Sequence, residues 1–421
     1  MKLKYERQSG ESGTVRLPGS KSISLRAEVL SRILMADVIK KIDCKIVLCG
    51  LSDSDDWHDL YQAFEKLEDN PNQCITFYFG YGAAPLRFFL AYASSLEGFC
   101  GKLDCGPELK ERPIIPLVDA LRRSGAEIDY LEEEGKLPLY VRGHRLKSLE
   151  GAVGIRVSSQ FNSALMMASL LWEKEFMPSS SPDAVSYSYI NMTEKMIDQF
   201  KHIGHEKVDN LPISYNIEGD WSAASYFYEL ALLAPGRKIR MSRLLIPESS
   251  LQGDSACAEI FDTLGVKTNF CDNGDVILEG NADTINKLRC EALPLYFNLK
   301  DTPDLAPALA VGLCMAGIPF VIEGIGHLRH KECDRLFALT AELGKAGYKL
   351  ENKAESLASD GKRPDVKEKV IFDSHNDHRM AMSLAIAAVK LGVIEIRGAE
   401  CISKSFPDFF AEIEKVGLKT L

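Results

Sequence analysis

Strand-like runs that break at Gly, Ser, Asp or Arg and give way to helical runs rich in Ala, Leu and Met recur along this chain. They occur after Ser20, near Gly82, after Arg112, after Ser158, after Asp220, after Asp304, after Lys331 and after Asp377. This alternation restricts the fold to the α/β class. The runs differ too much from one another to be a solenoid repeat. Each break leaves polar or charged residues at a helix N-terminus, where unpaired backbone N–H groups and the helix dipole favour an anion. Several such ends brought together would make a strongly anion-attracting cleft. At 421 residues the chain exceeds one ordinary core, and two domains are expected.

The balance of charge sharpens this reading. With 46% apolar and 26% charged residues, the composition is that of a soluble globular protein. A net charge of −10 argues against non-specific nucleic-acid binding and makes local groups of Lys and Arg stand out. Residues 1–13 are polar, without the apolar centre of a signal peptide. No apolar run reaches the ~18 residues of a membrane span. The 11 cysteines are odd in number and contain no Cys-x-x-Cys pair. Reduced thiols in a cytoplasmic protein are expected, without a disulfide frame or a zinc site.

The densest motif is Pro18-Gly19-Ser20-Lys21-Ser22, followed by Arg26 on a helix expected over 23–36. Ser22 and Arg26 share a helix face. Lysine, hydroxyls and arginine at a helix start suit a phosphate or carboxylate. The segment is not a Walker A loop, because Gly19 is followed by serine. In Lys110-Glu111-Arg112-Pro113-Ile114, Pro113 suits a first helical turn and Arg112 would stand at the helix start. There a cation makes sense if an anion sits beside it. Ser158-Ser159-Gln160 precedes a helix over 162–172, with Ser159 as its expected cap. Ser186 to Tyr189 offer more hydroxyls before a helix over 192–203. Asp304 is placed to cap a helix over 305–316. Lys331 and Arg335 share a face, with Glu332 pointing elsewhere. Asn376 to Arg379 precede a helix over 380–391, and Lys404 to Asp408 close the series. Each segment also has a plain reading as a capped or solvated helix. Asp53 to Asp56 read only as a charged start to a helix over 57–67, and 146–151, 178–183 and 351–369 as loops, the last exposed. No Ser-His-Asp or metal-ligand spacing accompanies them.

Taken together, the segments resemble the EPSP synthase (3-phosphoshikimate 1-carboxyvinyltransferase) family from Leu17 to Phe410. The match runs in order through Pro18 to Ser22, Lys110 to Ile114, Val157 to Phe161, Glu218 to Ser225, Pro303-Asp304, Lys331 to Arg335, Asn376 to Met382 and Lys404 to Asp408. The resemblance implies two similar domains, each of three βαβαββ-type units in an inverse α/β barrel-like arrangement, with the active site in the interdomain cleft. One domain would span 20–220 on the shikimate 3-phosphate side, the other 1–19 and 221–421. The implied reaction moves the enolpyruvyl group of phosphoenolpyruvate to the 5-hydroxyl of shikimate 3-phosphate and releases phosphate. No metal or organic cofactor, nucleic acid or membrane is implied, and a monomer is expected.

The resemblance also implies roles. Shikimate 3-phosphate would meet Lys21, Ser22, Arg26, Ser158, Ser159, Gln160, Ser186, Tyr189, Asp304 and Lys331. Phosphoenolpyruvate would meet Lys21, Ala83, Arg112, Gln160, Arg335, His378, Arg379 and Lys404. Glu332 resembles the general acid that protonates the methylene carbon; Asp304, or alternatively Lys21, would take the proton of the 5-hydroxyl. One stretch departs from the family. Where Gly-Asn-Ala-Gly-Thr-Ala-x-Arg is usual, this chain has Gly80-Tyr81-Gly82-Ala83-Ala84-Pro85-Leu86-Arg87, with Leu25 in place of Asn and Glu108 in place of Arg elsewhere. Ala83 replaces the glycine against which the family's inhibitor glyphosate packs. A non-catalytic anion-binding paralogue and a UDP-N-acetylglucosamine enolpyruvyl transferase are the alternatives.

Overall fold

The computed structural model describes residues 1–6, 13–38, 46–71, 73–149, 158–178, 186–205, 212–362 and 369–421. Val157, Val185 and parts of the loops expected at 146–151, 178–183 and 351–369 lie outside these. The chain divides into two compact units. One is inserted, Ser20–Ile217; the other is split, Met1–Gly19 with Glu218–Leu421.

In the inserted unit the helices that carry motif residues are α1 (Lys21–Val38), α2 (Asp55–Asp69), α3 (Ala83–Ser94), α4 (Ile115–Arg123), α5 (Ser159–Ala168) and α6 (Tyr187–His205). Around α3 and α4 the chain makes one βαβαββ unit. Its strands are Ile75–Phe79, Cys100–Cys105, Glu127–Tyr130 and Leu139–Arg142. The first two pair parallel and the rest antiparallel. A parallel pair, Ile46–Cys49 with Ile213–Asn216, begins a second sheet. Cys74 and Cys100 form a disulfide, against the expectation of thiols only. The reason lies in register: Ile75 pairs with Gly101, so the preceding residues are neighbours across two parallel strands, with Cα atoms 4.7 Å apart. Spacing along the chain carries no trace of that pairing.

The split unit repeats the same plan three times, with α7 (Trp221–Leu233), α8 (Ala306–Ala316), α9 (Arg335–Lys345) and α10 (His378–Ile386) among its helices. The sheet built from consecutive chain has strands Leu295–Asn298, Phe320–Glu323, Leu350–Asn352 and Ser356–Ser359. The last two correct the loop expected from 351. Only Leu357 and Ser359 of the final strand are buried, so a sheet with one wet face looks charged in sequence. The other two sheets close only by borrowing from the N-terminus. Val15–Arg16 pairs parallel with Lys238–Ser242. Lys2–Tyr5 lies antiparallel between Val393–Arg397 and Leu418–Thr420. This weaving is why residues 1–19 belong to the split unit.

Every residue of α7, α8 and α10 is buried. Helices apolar on all sides are central ones, and their N-termini are the ends that carry motif residues. Within α7, Glu229 is fully buried with neither carboxylate oxygen hydrogen-bonded. Burial drives its pKa far up and keeps it neutral. The absent side chain of Gly312 makes its room, since a Cβ there would lie 3.2 Å from Glu229 Cγ.

Candidate active site

The inserted unit gathers one set of motif residues. Lys21 opens α1, and its Nζ pairs with Asp56 Oδ2 at 2.9 Å. Asp56 belongs to the first turn of α2, which Ser54 caps. The acidic run is therefore more than a charged helix start. Gly82 caps α3 without a side chain. A Cβ there would meet Asp56 Oδ1 at 2.5 Å, so only glycine lets this carboxylate lie against the helix end. Asp59 accepts the Gly80 N–H at 2.9 Å, and burial pushes its carboxyl up to about 6. Ala83 is the buried first residue of α3. Arg87 donates to Gln160 Oε1 at 2.6 Å and to the Pro113 carbonyl at 2.7 Å. It thereby ties α3 and α5 to the turn that holds Arg112.

Two local expectations change here. Arg112 stands in the turn after a short helix, Pro107–Lys110, with its N–H on the Leu109 carbonyl. Helix α4 starts at Ile115, three residues after Arg112, and Pro116 fills the early-turn position expected for Pro113. The cap of α5 is Ser158, whose Oγ accepts the Gln160 N–H at 3.3 Å, leaving Ser159 as the first helical residue. Ser186 adopts a φ of 58° just before α6.

Arg26 is 3% exposed. It donates to Thr193 Oγ1 at 2.7 Å, Ser163 Oγ at 2.9 Å and the Ser22 carbonyl at 2.8 Å. The rings of Phe88 and Tyr189 flank it. Burial brings its pKa down to about 10. A buried guanidinium bonded to hydroxyls and a carbonyl is a charge suited to an anionic ligand.

The split unit gathers the other set around Arg335, which is 1% exposed. Its Nε donates to Asp377 Oδ2 at 2.7 Å, one terminal nitrogen to Asp304 Oδ1 at 3.0 Å, and the other to Glu332 Oε2 at 2.7 Å. These carboxylates hold it charged and push its pKa well above the ordinary value despite burial. Arg379 donates to Asp304 Oδ2 at 2.7 Å, and its N–H is capped by Asp377 Oδ1 at 2.8 Å. Lys404 Nζ donates to the Asn376 carbonyl at 2.6 Å. His378 is the buried first residue of α10.

Asp304 is not a helix cap, contrary to expectation. It sits in a 3-10 turn, Pro303–Leu305, with its carboxylate on two arginines. Nor does Glu332 point away from the basic face. Residues 331–334 precede α9, which Asp334 caps, so helical spacing does not apply and Glu332 folds back onto Arg335. Lys331 is half-buried in that turn and, with burial, helps bring His327 down to about 4. Ser222 donates to Asp254, a buried carboxyl absent from the sequence reading. Burial first, then the charge of Asp304, pushes Asp254 up to about 7. Asp56, Asp377, Thr193 and Ser163 were likewise unassigned; Asp377 stood inside a motif and Asp56 in the acidic run, while nothing in the sequence marked Thr193 or Ser163. Among the described residues no group of His, Cys, Asp and Glu is arranged to hold a metal ion, and no helix is long and apolar enough to cross a membrane.

Folded this way, the chain has the architecture of the enolpyruvyl transferases. EPSP synthase from Acinetobacter baumannii superposes with a TM-score of 0.69 at 19% identity, covering 100% of both chains. The enolpyruvyl transferase NikO from Streptomyces tendae gives 0.66 at 15%, covering 99% of this chain and 98% of that one. The sequence pattern of EPSP synthase (3-phosphoshikimate 1-carboxyvinyltransferase) matches residues 6–413. The 3-phosphoshikimate 1-carboxyvinyltransferase of Bacteroides fragilis is 34% identical over 414 residues, with 96% of this chain and 95% of the relative covered. That of Photorhabdus laumondii is 33% identical over 437 residues, with 96% of each covered. The chain belongs to the EPSP synthase family.

Proposed function

We propose that this chain carries out its family's reaction, joining the enolpyruvyl group of phosphoenolpyruvate to the 5-hydroxyl of shikimate 3-phosphate with loss of phosphate. The observation that carries the reading is the guanidinium of Arg335, bonded at once to Asp304 and Glu332, the residues whose motifs match the family's base and acid. Asp304 takes the 5-hydroxyl proton as the oxygen attacks the enol carbon, and Glu332 delivers a proton to the methylene carbon. A tetrahedral adduct results; its collapse expels phosphate while its new methyl group returns a proton to the Glu332 carboxylate, which restores the carbon–carbon double bond. Lys21 is the alternative base. A phosphoenolpyruvate carboxylate that takes up Arg335 releases Glu332 to carry the proton it must donate.

Arg26, Ser22, Ser158, Ser159, Gln160, Ser186, Tyr189 and Lys331 recognise shikimate 3-phosphate. The buried charge of Arg26 is the strongest support for an anion there. Lys21, Ala83, Arg112, Gln160, Arg335, His378, Arg379 and Lys404 surround phosphoenolpyruvate, whose charges need several cations to bring it beside a second anion. The chain works as a cytoplasmic monomer. Purified protein given both substrates should release phosphate and form the enolpyruvyl ether. Release absent with shikimate 3-phosphate, or present only with UDP-N-acetylglucosamine, would overturn the reading.

A further inference from the structure

One turn, Ser374 to Asp377, is tied to each of the split unit's cations that we assign to phosphoenolpyruvate. Asp377 holds Arg335 at 2.7 Å and caps the N–H of Arg379 at 2.8 Å. The Asn376 carbonyl accepts Lys404 Nζ at 2.6 Å. The turn is not a relaxed one. His375 and Asn376 have φ values of 51° and 55°, successive left-handed conformations that side chains other than glycine rarely adopt. Such a backbone persists only when its surroundings over-determine it.

The surroundings are specific. His375 Nε2 lies 2.8 Å from Glu342 Oε1, and the Asp373 N–H donates to Glu342 Oε2 at 2.8 Å. Glu342 is 1% exposed and belongs to α9, the helix whose first residue is Arg335. Helix α9 is therefore joined to the turn twice, through Arg335 and Asp377 at its start and through Glu342 and His375 toward its end. The Asp373 carboxylate accepts the His375 N–H at 2.7 Å, and Ser374 Oγ donates to the Gly398 carbonyl at 2.9 Å.

We infer that His375 is a positioning residue: by clamping the strained turn to Glu342, it sets where Arg335, Arg379 and Lys404 meet phosphoenolpyruvate, while touching neither substrate. This rests on the function proposed above. The residues assigned mainly to shikimate 3-phosphate lie on other elements, so loss of the clamp should divide the substrates. The test is steady-state phosphate release, varying each substrate in turn. Wild-type release comes first, because its absence overturns the functional reading and this inference with it. Given an active wild type, His375→Ala should lower kcat/KM for phosphoenolpyruvate about tenfold or more, since small misplacements of positioning groups are costly. The KM for shikimate 3-phosphate should stay within about twofold. His375→Gln, which can still donate to Glu342, should recover most of the loss. His375→Gly takes the positive φ at ease and so keeps the fold, yet lacks the clamp, and it should match alanine even if alanine folds poorly. Unchanged phosphoenolpyruvate kinetics in the glycine variant, equal losses for both substrates, or glutamine no better than alanine would each overturn the inference.

Discussion

Removing the charge of Arg335 should destabilise the split unit more than any loss of packing at that position. Methionine fills much of the same volume, so Arg335→Met mainly deletes charge. It leaves Asp377, fully buried, without its cation, and takes one partner each from Asp304 and Glu332. Breaking a buried ion pair by removing one member costs about 3–5 kcal/mol, because the survivor remains charged and desolvated. For a unit of roughly 200 residues that corresponds to a fall of roughly 10 °C in Tm. The second half of the prediction is a reversal of sign. Asp377→Asn should destabilise the wild type, where it weakens the hold on Arg335, but stabilise the Arg335→Met background, where it discharges a stranded carboxylate. Asparagine still caps α10, so the helix start survives both changes. Thermal or urea unfolding of the four proteins in this cycle measures the coupling. A loss under about 1 kcal/mol in Arg335→Met, or an effect of Asp377→Asn of the same sign in both backgrounds, would refute the argument that buried charge balance governs this cluster.

Three further outcomes follow from the same site. Asp304→Ala and Glu332→Ala should each lower turnover by at least ~100-fold in a phosphate-release assay; near-normal turnover removes either residue from its role, and for Asp304 passes the base to Lys21. The Ala83 methyl group should cost glyphosate about 1–3 kcal/mol, or one to two decades of affinity, and the shorter phosphoenolpyruvate less; inhibition curves equally sensitive in wild type and Ala83→Gly would contradict this. Asp254, pushed up to about 7 by burial, holds a proton in the folded state that the unfolded chain releases near pH 4. The stability it contributes is complete below about pH 4 and lost as pH rises through about 7. Asp254→Asn should therefore be indifferent at low pH and stabilising above pH 7, by about 4 kcal/mol at most; parallel Tm curves against pH would exclude it.

What the sequence made legible divides cleanly from what it did not. The starts of α1, α5 and α10 fell within a few residues of their expected positions, because the unpaired N–H groups of a helix start call for caps and polar breaks that the sequence displays. The α/β alternation was legible for the same reason. Pairing was not. The partner of Arg26 is Thr193, 167 residues away; Asp304 and Arg379 are 75 apart, Arg335 and Asp377 42 apart. Local periodicity has no term for such distances, which is why Asp56, 35 residues from Lys21, passed as a helix-start charge; Glu332 was turned the wrong way for a nearer reason, because it precedes the helix whose spacing was applied to it. The Cys74–Cys100 bond failed to show for the same cause, being a product of strand register. The two borrowed N-terminal strands are too short to register as periodic at all.

The departures from plain helix rules mark the site better than the rules themselves. Asp304 forgoes capping to take two arginines, and Glu332 leaves a solvated face for a buried guanidinium. His375 and Asn376 accept a backbone that glycine would adopt more readily. Each departure gives up local stability that an unconstrained sequence would keep. All of them lie on the same group of charges around Arg335. A merely structural ion cluster would require none of them, since replacement by apolar residues of similar volume is often neutral or stabilising. Under the function proposed above, their meeting around Asp304 and Glu332 is what a site needs when it handles anions and protons together.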